Sequence, residues 1–251
     1  MISIYRNLIC LFMLAFTFTS VNAASREHVK FATDANYYPF EYLSENKDIL
    51  GFDIEIAKAI CKAVDLQCSF EHHRFEGLLV TLQFGRYDAI IAALDITEER
   101  LNKVDFSDSY YKIAPVFISK EQLQGEFSLK EKLIGVQANS SNQNYLTLFS
   151  KGNSYIVPYF SSQAALEDLK REKIDAVFAD FAVVNHFLSN QEENSGLVIS
   201  RTEEVFVTGF SKGYGIAVKK GNTNLLDRLN KGLKLIVENG TYNNIYQQYF
   251  P

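Results

Sequence analysis

The sequence predicts an α/β protein made of open, mostly parallel sheets with flanking helices. Short apolar runs of strand length alternate with amphipathic helical segments, which is the pattern of βα units. A helix, a basic residue, an Asp-Ala pair and a buried strand also occur twice in the same order. The first copy contains Leu79, Leu82, Arg86, Asp88, Ala89 and Ile90, and the second contains Leu166, Leu169, Lys173, Asp175, Ala176 and Val177. We therefore expect two similar lobes.

Composition limits the possible functions. The chain has 251 residues, of which 47% are apolar, enough for the core of one or two domains. Its formal charge is −5 and it contains no basic block, so a nucleic-acid partner is not expected. After the first residues, no stretch is long and apolar enough to cross a bilayer.

Residues 1–23 have the pattern of a cleavable secretory signal. Arg6 precedes the apolar run Leu8–Phe16, and Val21–Ala23 forms a small-residue cleavage site. Cys10 lies inside the apolar run, far from that site, so no lipid anchor is expected. The predicted product is exported and soluble.

Two cysteines, Cys61 and Cys68, remain after cleavage. In an oxidising compartment we expect them to form a disulfide, which stabilises by roughly 2.5 kcal/mol on the chain-entropy model. The neighbouring pair His72–His73 would point in opposite directions on a strand. Neither a metal nor another cofactor is expected.

The first elements end in polar residues. Val29–Thr33 is predicted as a strand followed by Asp34, and Asn36–Phe40 as an aromatic turn. Asp53 is predicted to cap a helix, after which Gln67–Glu71 returns as a strand. Apolar residues recur at intervals of four along this helix: Ile56, Ile60 and Val64.

The stretch 88–100 carries the strongest chemical pattern. A helix over 75–84 leads into a buried strand, Ala89–Leu94, which ends at Asp95. Thr97 is predicted to cap a helix that contains Arg100. This junction offers a carboxylate, a guanidinium and free backbone N–H groups, which suit a small zwitterion. The alternative is a capped helix with a surface ion pair.

The second half repeats this organisation. Ile113–Ser119 is apolar, Leu133–Gln137 is predicted as a strand before a polar loop over 138–142, and the strand Ala176–Ala179 ends at Asp180. A strand over 215–219 and helices over 224–238 and 241–250 follow, and the last helix is expected to pack on the first lobe. Ligands of parallel sheets bind at the carboxyl ends of the strands, so we expect a cleft there, between the lobes.

Several motifs together resemble the periplasmic polar-amino-acid binding proteins of ABC importers. They are Thr33–Glu41, Gly51–Asp53, Asp88–Arg100, Gly135–Val136 and Phe178–Asp180. Three further stretches look like the arginine-binding branch of that family. These are Leu94–Arg100, Ala182–Val184 and Gly215–Thr223.

The resemblance implies a type II periplasmic binding protein fold, in which two α/β lobes joined by two hinge strands close on the ligand. The crossovers would fall near Ile113 and Phe206. Lobe 1 would then comprise 24–112 and 207–251, and lobe 2 would comprise 113–206. The implied partner is an inner-membrane ABC permease, and nothing in the sequence requires more than a monomer.

The same resemblance implies roles for individual residues. Arg100 would hold the ligand α-carboxylate, helped by the backbone of Ala93 and by Ser141. Asp180 would accept the α-ammonium, with Asp95 beside it.

Four other residues would surround the ligand side chain. Asp34 would face its cationic end, Tyr37 and Phe75 would sandwich its planar group, and Gln137 lies where some relatives touch it. The alternatives are core packing for the two aromatic residues and strand-end capping for the aspartates.

Two departures from related branches concern this site. The histidine-binding and lysine/arginine/ornithine-binding branches have small hydroxyl residues where this chain has Ala92, Ala93 and Asp95. The family's Gly-Thr-Thr turn is replaced by Asn139–Ser141.

The balance of charges favours a cationic ligand independently of the family. The site would contain three carboxylates, those of Asp34, Asp95 and Asp180, and only one guanidinium, that of Arg100. A neutral amino acid would therefore leave Asp34 unpaired. Arginine is therefore the expected ligand, with lysine, ornithine, histidine and glutamine as alternatives. A cyclohexadienyl or arogenate dehydratase-like enzyme shares this architecture, and a periplasmic sensor or adhesin is a third possibility.

Overall fold

The computed structural model describes residues 26–123, 126–190, 196–201 and 211–250. The predicted signal segment and the return crossover near Phe206 lie outside these residues. The described chain forms two five-stranded sheets, one three-stranded sheet and flanking helices, so the predicted α/β class is confirmed.

The first sheet contains strands from both ends of the chain. In spatial order they are β5 (Gln67–His72), β1 (His28–Thr33), β6 (Ala89–Ile90), β13 (Ala217–Lys219) and β7 (Val104–Phe106). Only β13 is antiparallel to its neighbours. The associated helices are α1 (Phe52–Ala63), α2 (Leu78–Gln83), α3 (Glu98–Leu101), α7 (Thr223–Glu238) and α8 (Thr241–Tyr249). We call this unit the first lobe.

The second lobe has the same arrangement. Its strands, in spatial order, are β10 (Tyr155–Tyr159), β9 (Leu133–Gln137), β11 (Ala176–Asp180), β8 (Pro115–Ser119) and β12 (Val198–Ser200). Here β8 is the antiparallel strand, in the same position as β13 of the first sheet. Its helices are α4 (Ser141–Phe149), α5 (Ser162–Lys170) and α6 (Phe181–Ser189).

The repeat seen in the sequence has a structural basis. Asp88 precedes β6, and its Oδ2 accepts a hydrogen bond from the backbone N–H of Lys30, at 2.8 Å. Asp175 precedes β11 in the same way and accepts from the N–H of Leu133, at 2.7 Å. Both acids therefore fix one parallel strand against the next. Asp88 and Asp175 recur at equivalent positions of the repeat because they have the same structural role in each lobe.

A small sheet lies between β1 and α1. It consists of β2 (Asn36–Tyr37), β3 (Glu41–Leu43) and β4 (Ile49–Leu50). Gly51 has φ of 130°, and a Cβ there would lie 2.2 Å from the carbonyl oxygen of Phe40, so only glycine allows this approach. The N–H of Asp53 then donates to that carbonyl at 2.9 Å, which fixes the start of α1 on the small sheet.

Three local predictions need correction. Asp53 lies inside α1 and makes no cap hydrogen bond, because its carboxylate points to another loop. The strand predicted to reach Leu94 ends at Ile90, and Ala93 has φ of 44°, which is incompatible with a regular strand. The predicted loop over 138–142 ends at Ser140, whose hydroxyl caps α4, so Ser141 and Asn142 are helical.

Other local predictions are confirmed. The Thr97 hydroxyl accepts from the backbone N–H of Arg100 and caps α3. Cys61 and Cys68 form a disulfide that joins the end of α1 to β5. Helix α8 packs on the first lobe, where the Tyr242 hydroxyl donates to the carbonyl of Tyr110 at 2.6 Å.

The described part of the chain has neither a membrane-spanning helix nor a cluster of metal ligands. None of its helices combines the length and the apolar character that crossing a bilayer requires. Within the same ranges, no cluster of three or more His, Cys, Asp or Glu residues is arranged to hold a metal ion.

Candidate functional site

A cavity of about 320 Å³ lies where the strand ends of the two lobes meet. Its lining is rich in acidic and polar side chains and contains few large apolar ones. The residues are Asp34, Tyr37, Glu41, Phe75, Ala92, Ala93, Asp95, Gln137, Ser140, Asn142 and Asp180.

Asp34 follows β1 directly and is 3% exposed. Its Oδ1 accepts from Asn36 Nδ2 at 2.9 Å, and Gln137 Nε2 of the second lobe lies 3.5 Å from its Oδ2. Burial raises the pKa of Asp34, and the hydrogen bond from Asn36 only partly opposes this. The negative charge of Asp34 is therefore incompletely compensated.

The imidazole ring of His72 approaches Asp34 from β5. Its Nδ1 lies 3.8 Å from Asp34 Oδ1. The same nitrogen lies 3.1 Å from the backbone nitrogen of Ala35, whose N–H donates a hydrogen bond to it.

Asp180, at the end of β11, links the lobes. Its Oδ2 accepts hydrogen bonds from the hydroxyls of Tyr37, at 2.6 Å, and of Tyr214, both in the first lobe. Asp180 occupies the N-cap position of α6, but its side chain makes no cap hydrogen bond there. Burial, and secondly repulsion from Asp95, raise the pKa of Asp180 to about 7.

Arg100 and Asp95 form a second polar group of the site, apart from Asp34 and Asp180. Arg100 Nη1 donates to the carbonyl oxygen of Asp95 at 3.0 Å, and its guanidinium carbon lies 5.6 Å from the centre of the Phe75 ring. The Ser141 hydroxyl, from the second lobe, donates to Asp95 Oδ2. Burial raises the pKa of Asp95, and the charge of Arg100 opposes the shift. Burial lowers the pKa of Arg100, but a guanidinium stays charged in proteins.

The backbone N–H of Ala93 already has an acceptor. It donates to Asp53 Oδ2 at 2.7 Å, and the Tyr110 hydroxyl donates to the same oxygen at 2.6 Å. This group was expected to help hold a carboxylate, yet in this structure it fixes the bend after β6. Burial raises the pKa of Asp53 to about 7.

The structure brings the nine predicted residues together. Seven line the cavity, and the other two, Arg100 and Ser141, contact the lining residue Asp95. Four lining residues were not among the predicted ligand contacts, although two of them, Ala92 and Ser140, were noted as departures from related branches: Glu41, Ala92, Ser140 and Asn142. The sequence prediction also missed Tyr214, which is remote in sequence from Asp180.

A signal for Glu41 was present in the sequence. It is separated from Tyr37 by a tight turn, and Tyr37 and Glu41 are directly opposite each other in the β2–β3 pair. Side chains that are opposite across two strands lie on the same face. A ligand-facing Tyr37 therefore implies a ligand-facing Glu41.

Comparison with known proteins places this geometry in context. The model of the bacterial extracellular solute-binding proteins, family 3, matches residues 29–251. The ABC transporter arginine-binding protein 1 of Escherichia coli (strain K12) is 39% identical over 240 residues, which cover 95% of this chain and 96% of that protein.

Two solved structures are similar over most of the chain. An ancestral arginine-binding protein bound to arginine has a TM-score of 0.82 and 34% identity, covering 90% of this chain and 99% of that one. An ancestral amino-acid-binding protein, a precursor of cyclohexadienyl dehydratase, has a TM-score of 0.78 and 25% identity, covering 89% and 95%.

Proposed function

Because this chain belongs to the bacterial extracellular solute-binding proteins, family 3, we propose that it binds a basic L-amino acid between its lobes, with L-arginine preferred, and delivers it to the permease of an ABC importer. The relative from Escherichia coli and the ancestral protein bound to arginine support this ligand.

The observation that carries the proposal is the excess of buried carboxyl groups in the cavity. Burial is the main cause of the raised pKa of Asp34, Asp95 and Asp180. These shifts mean that the charged carboxylates lack sufficient positive partners. A basic amino acid brings two cationic groups and one carboxylate, and the guanidinium of Arg100 suits that carboxylate. A neutral amino acid brings only one cationic group.

We assign the ligand contacts accordingly. Arg100 binds the α-carboxylate, and Asp180 binds the α-ammonium with Asp95 beside it. Asp34 and Gln137 face the side-chain end, and Phe75 and Tyr37 form the walls around it. A guanidinium against an aromatic face gains about 0.5–2 kcal/mol. Ser141 acts through Asp95, to which its hydroxyl donates.

Closure of the lobes follows from the position of the site. Tyr37 and Tyr214 of the first lobe contact Asp180 of the second, so the site is complete only when the lobes meet. A ligand that contacts both lobes favours the closed state over an open one. We propose that the first crossover between the lobes falls at 112–113.

We also propose that residues 1–23 direct export and are removed, leaving a periplasmic protein that acts as a monomer. The disulfide between Cys61 and Cys68 supports an oxidising compartment. Amino-terminal sequencing of the secreted protein should begin at Ala24.

Catalysis is a second candidate function, because a similar structure is a precursor of cyclohexadienyl dehydratase. Such a reaction needs a general acid next to the leaving hydroxyl. Asp180 accepts hydrogen bonds from two tyrosines, and Asp53 from Ala93 and Tyr110, so these two acids serve as hydrogen-bond acceptors in this structure. We propose that the chain is not an enzyme, and incubation with prephenate or arogenate should give no product.

A thermal-shift screen of the mature protein against the twenty amino acids tests the proposed function. Arginine should raise the unfolding temperature most, followed by the other basic amino acids. A larger shift with a neutral or acidic amino acid, or no shift with any of them, would contradict the proposal.

A further inference from the structure

Glu41 is a buried acid that the assigned ligand contacts do not use. It lines the cavity and is 1% exposed. As a carboxylate it finds no hydrogen-bond donor among the described residues, whereas in its protonated form it can donate a hydrogen bond to Asp53. Leaving a buried polar group unpaired is unfavourable, so its position in the cavity needs an explanation.

The fold holds Glu41 at this position. Its strand partner Tyr37 fixes the direction of its side chain toward the cavity. The close approach at Gly51 brings the start of α1, and with it Asp53, against the Phe40–Glu41 segment. Two acids are thus held close together in a buried place.

The surrounding groups favour a protonated Glu41. Burial raises its pKa well above the ordinary value, and repulsion from Asp53, Asp34 and Asp180 adds to the shift. Its other titratable neighbours are the hydroxyls of Tyr37 and Tyr110, which already donate to Asp180 and Asp53. Burial and the neighbouring acids therefore both stabilise the protonated form of Glu41 in this arrangement.

We propose that Glu41 is a second acidic group in the subsite for the ligand side chain, and that it gives up its proton when a cationic side chain enters. This inference rests on the proposed function. The O–H bond of Glu41 breaks, the proton passes to buffer, and the carboxylate remains beside the ligand cation. One positive charge enters the subsite and one leaves it.

The exchange makes Glu41 a determinant of specificity. A neutral side chain supplies no cation, so Glu41 stays protonated and releases nothing. As the pH rises toward the pKa of Glu41, the affinity for a basic ligand should increase by up to tenfold per pH unit, because a smaller fraction of Glu41 has a proton to displace. Affinity for a neutral analogue of the same shape should lack this contribution.

Calorimetry with arginine and citrulline measures the released proton directly. Citrulline has the same length as arginine but a neutral urea group, and both ligands present the same α-ammonium to Asp180. Titrations in phosphate and in Tris at pH 7 give the number of protons released, from the dependence of the heat on buffer. Arginine should release more protons than citrulline, by up to one per ligand. Equal numbers would overturn the inference.

The variant Glu41→Gln tests the assignment to this residue. It should lose the extra proton seen with arginine, and its Kd for arginine should rise about tenfold at pH 8 and by much less at pH 5.5. Glu45→Gln, an exposed position in the next turn, is the matched control and should behave as the wild type.

Each outcome has a distinct meaning. An unchanged proton release in folded Glu41→Gln would show that another acid, such as Asp53, is the source, and would overturn the inference. If that variant fails to fold, equal proton release with arginine and citrulline in the wild type would still overturn the inference. Absence of arginine binding to the wild type would instead contradict the proposed function, and the inference with it.

Discussion

Replacing Asp34 with asparagine should separate recognition of the side chain from recognition of the common amino-acid groups. The substitution keeps the size of a side chain that is 3% exposed but removes its charge. A charge-assisted hydrogen bond is worth about 2–3 kcal/mol. The Kd for arginine should therefore rise roughly 30- to 150-fold, at about 1.4 kcal/mol per factor of ten.

Glutamine provides the comparison ligand for isothermal titration calorimetry. Its binding to Asp34→Asn should change little or improve, because no buried charge is left unpaired. Arg100→Ala should instead weaken both ligands, since both carry an α-carboxylate. Asp65→Asn is the matched control: Asp65 is an exposed acid of the first lobe with φ of 54°, a conformation that asparagine tolerates. Equal losses for arginine and glutamine in Asp34→Asn would refute the assigned role.

Three further predictions concern the whole molecule. Non-reduced, alkylated protein should show no label on Cys61 or Cys68 by mass spectrometry, and full labelling of both would exclude the disulfide. Small-angle scattering should show compaction on addition of arginine, and an unchanged profile at saturation would argue against lobe closure. Without amino acids, the unfolding temperature should fall as pH rises from about 4 to about 7. Asp180 and Asp53 each have a pKa of about 7 in the folded state and about 3.9 when unfolded, so the folded state binds additional protons in that range and Asp180→Asn should reduce the fall. A steady rise across the range, or the same fall in Asp180→Asn, would contradict this account.

The features that the sequence predicted well depend on neighbouring residues. The Thr97 cap and the disulfide between Cys61 and Cys68 join groups a few residues apart. The repeated Asp88 and Asp175 were recognisable because each fixes the same strand pairing. Such short-range or repeated patterns are visible without knowledge of the packing.

The features that it missed depend on contacts between distant segments. The strand after Asp88 ends early because the N–H of Ala93 bonds to Asp53 instead of a neighbouring strand. Asp53 was predicted as a cap because its position before an apolar periodic stretch is typical of one. The link between Tyr214 and Asp180 joins different lobes, so no local pattern indicates it.

In the site, too, residues placed by local patterns were predicted and residues placed by contacts between segments were missed. Arg100 and Asp34 stand at the ends of recognisable elements, and both were predicted. Glu41 was not, because its exposure to the cavity depends on the short β2–β3 pair and on the contact at Gly51. The acidity of the cavity was therefore underestimated from the sequence.

The central claim is that the cavity selects a cationic amino-acid side chain. The most direct test is the ratio of the dissociation constants of the mature wild-type protein for arginine and citrulline, measured by calorimetry at pH 7.5. The two ligands differ in charge but hardly in shape, so the ratio reports the effect of the buried carboxyl groups. We predict that arginine binds at least tenfold more tightly. Equal affinities, or tighter binding of citrulline, would contradict the claim.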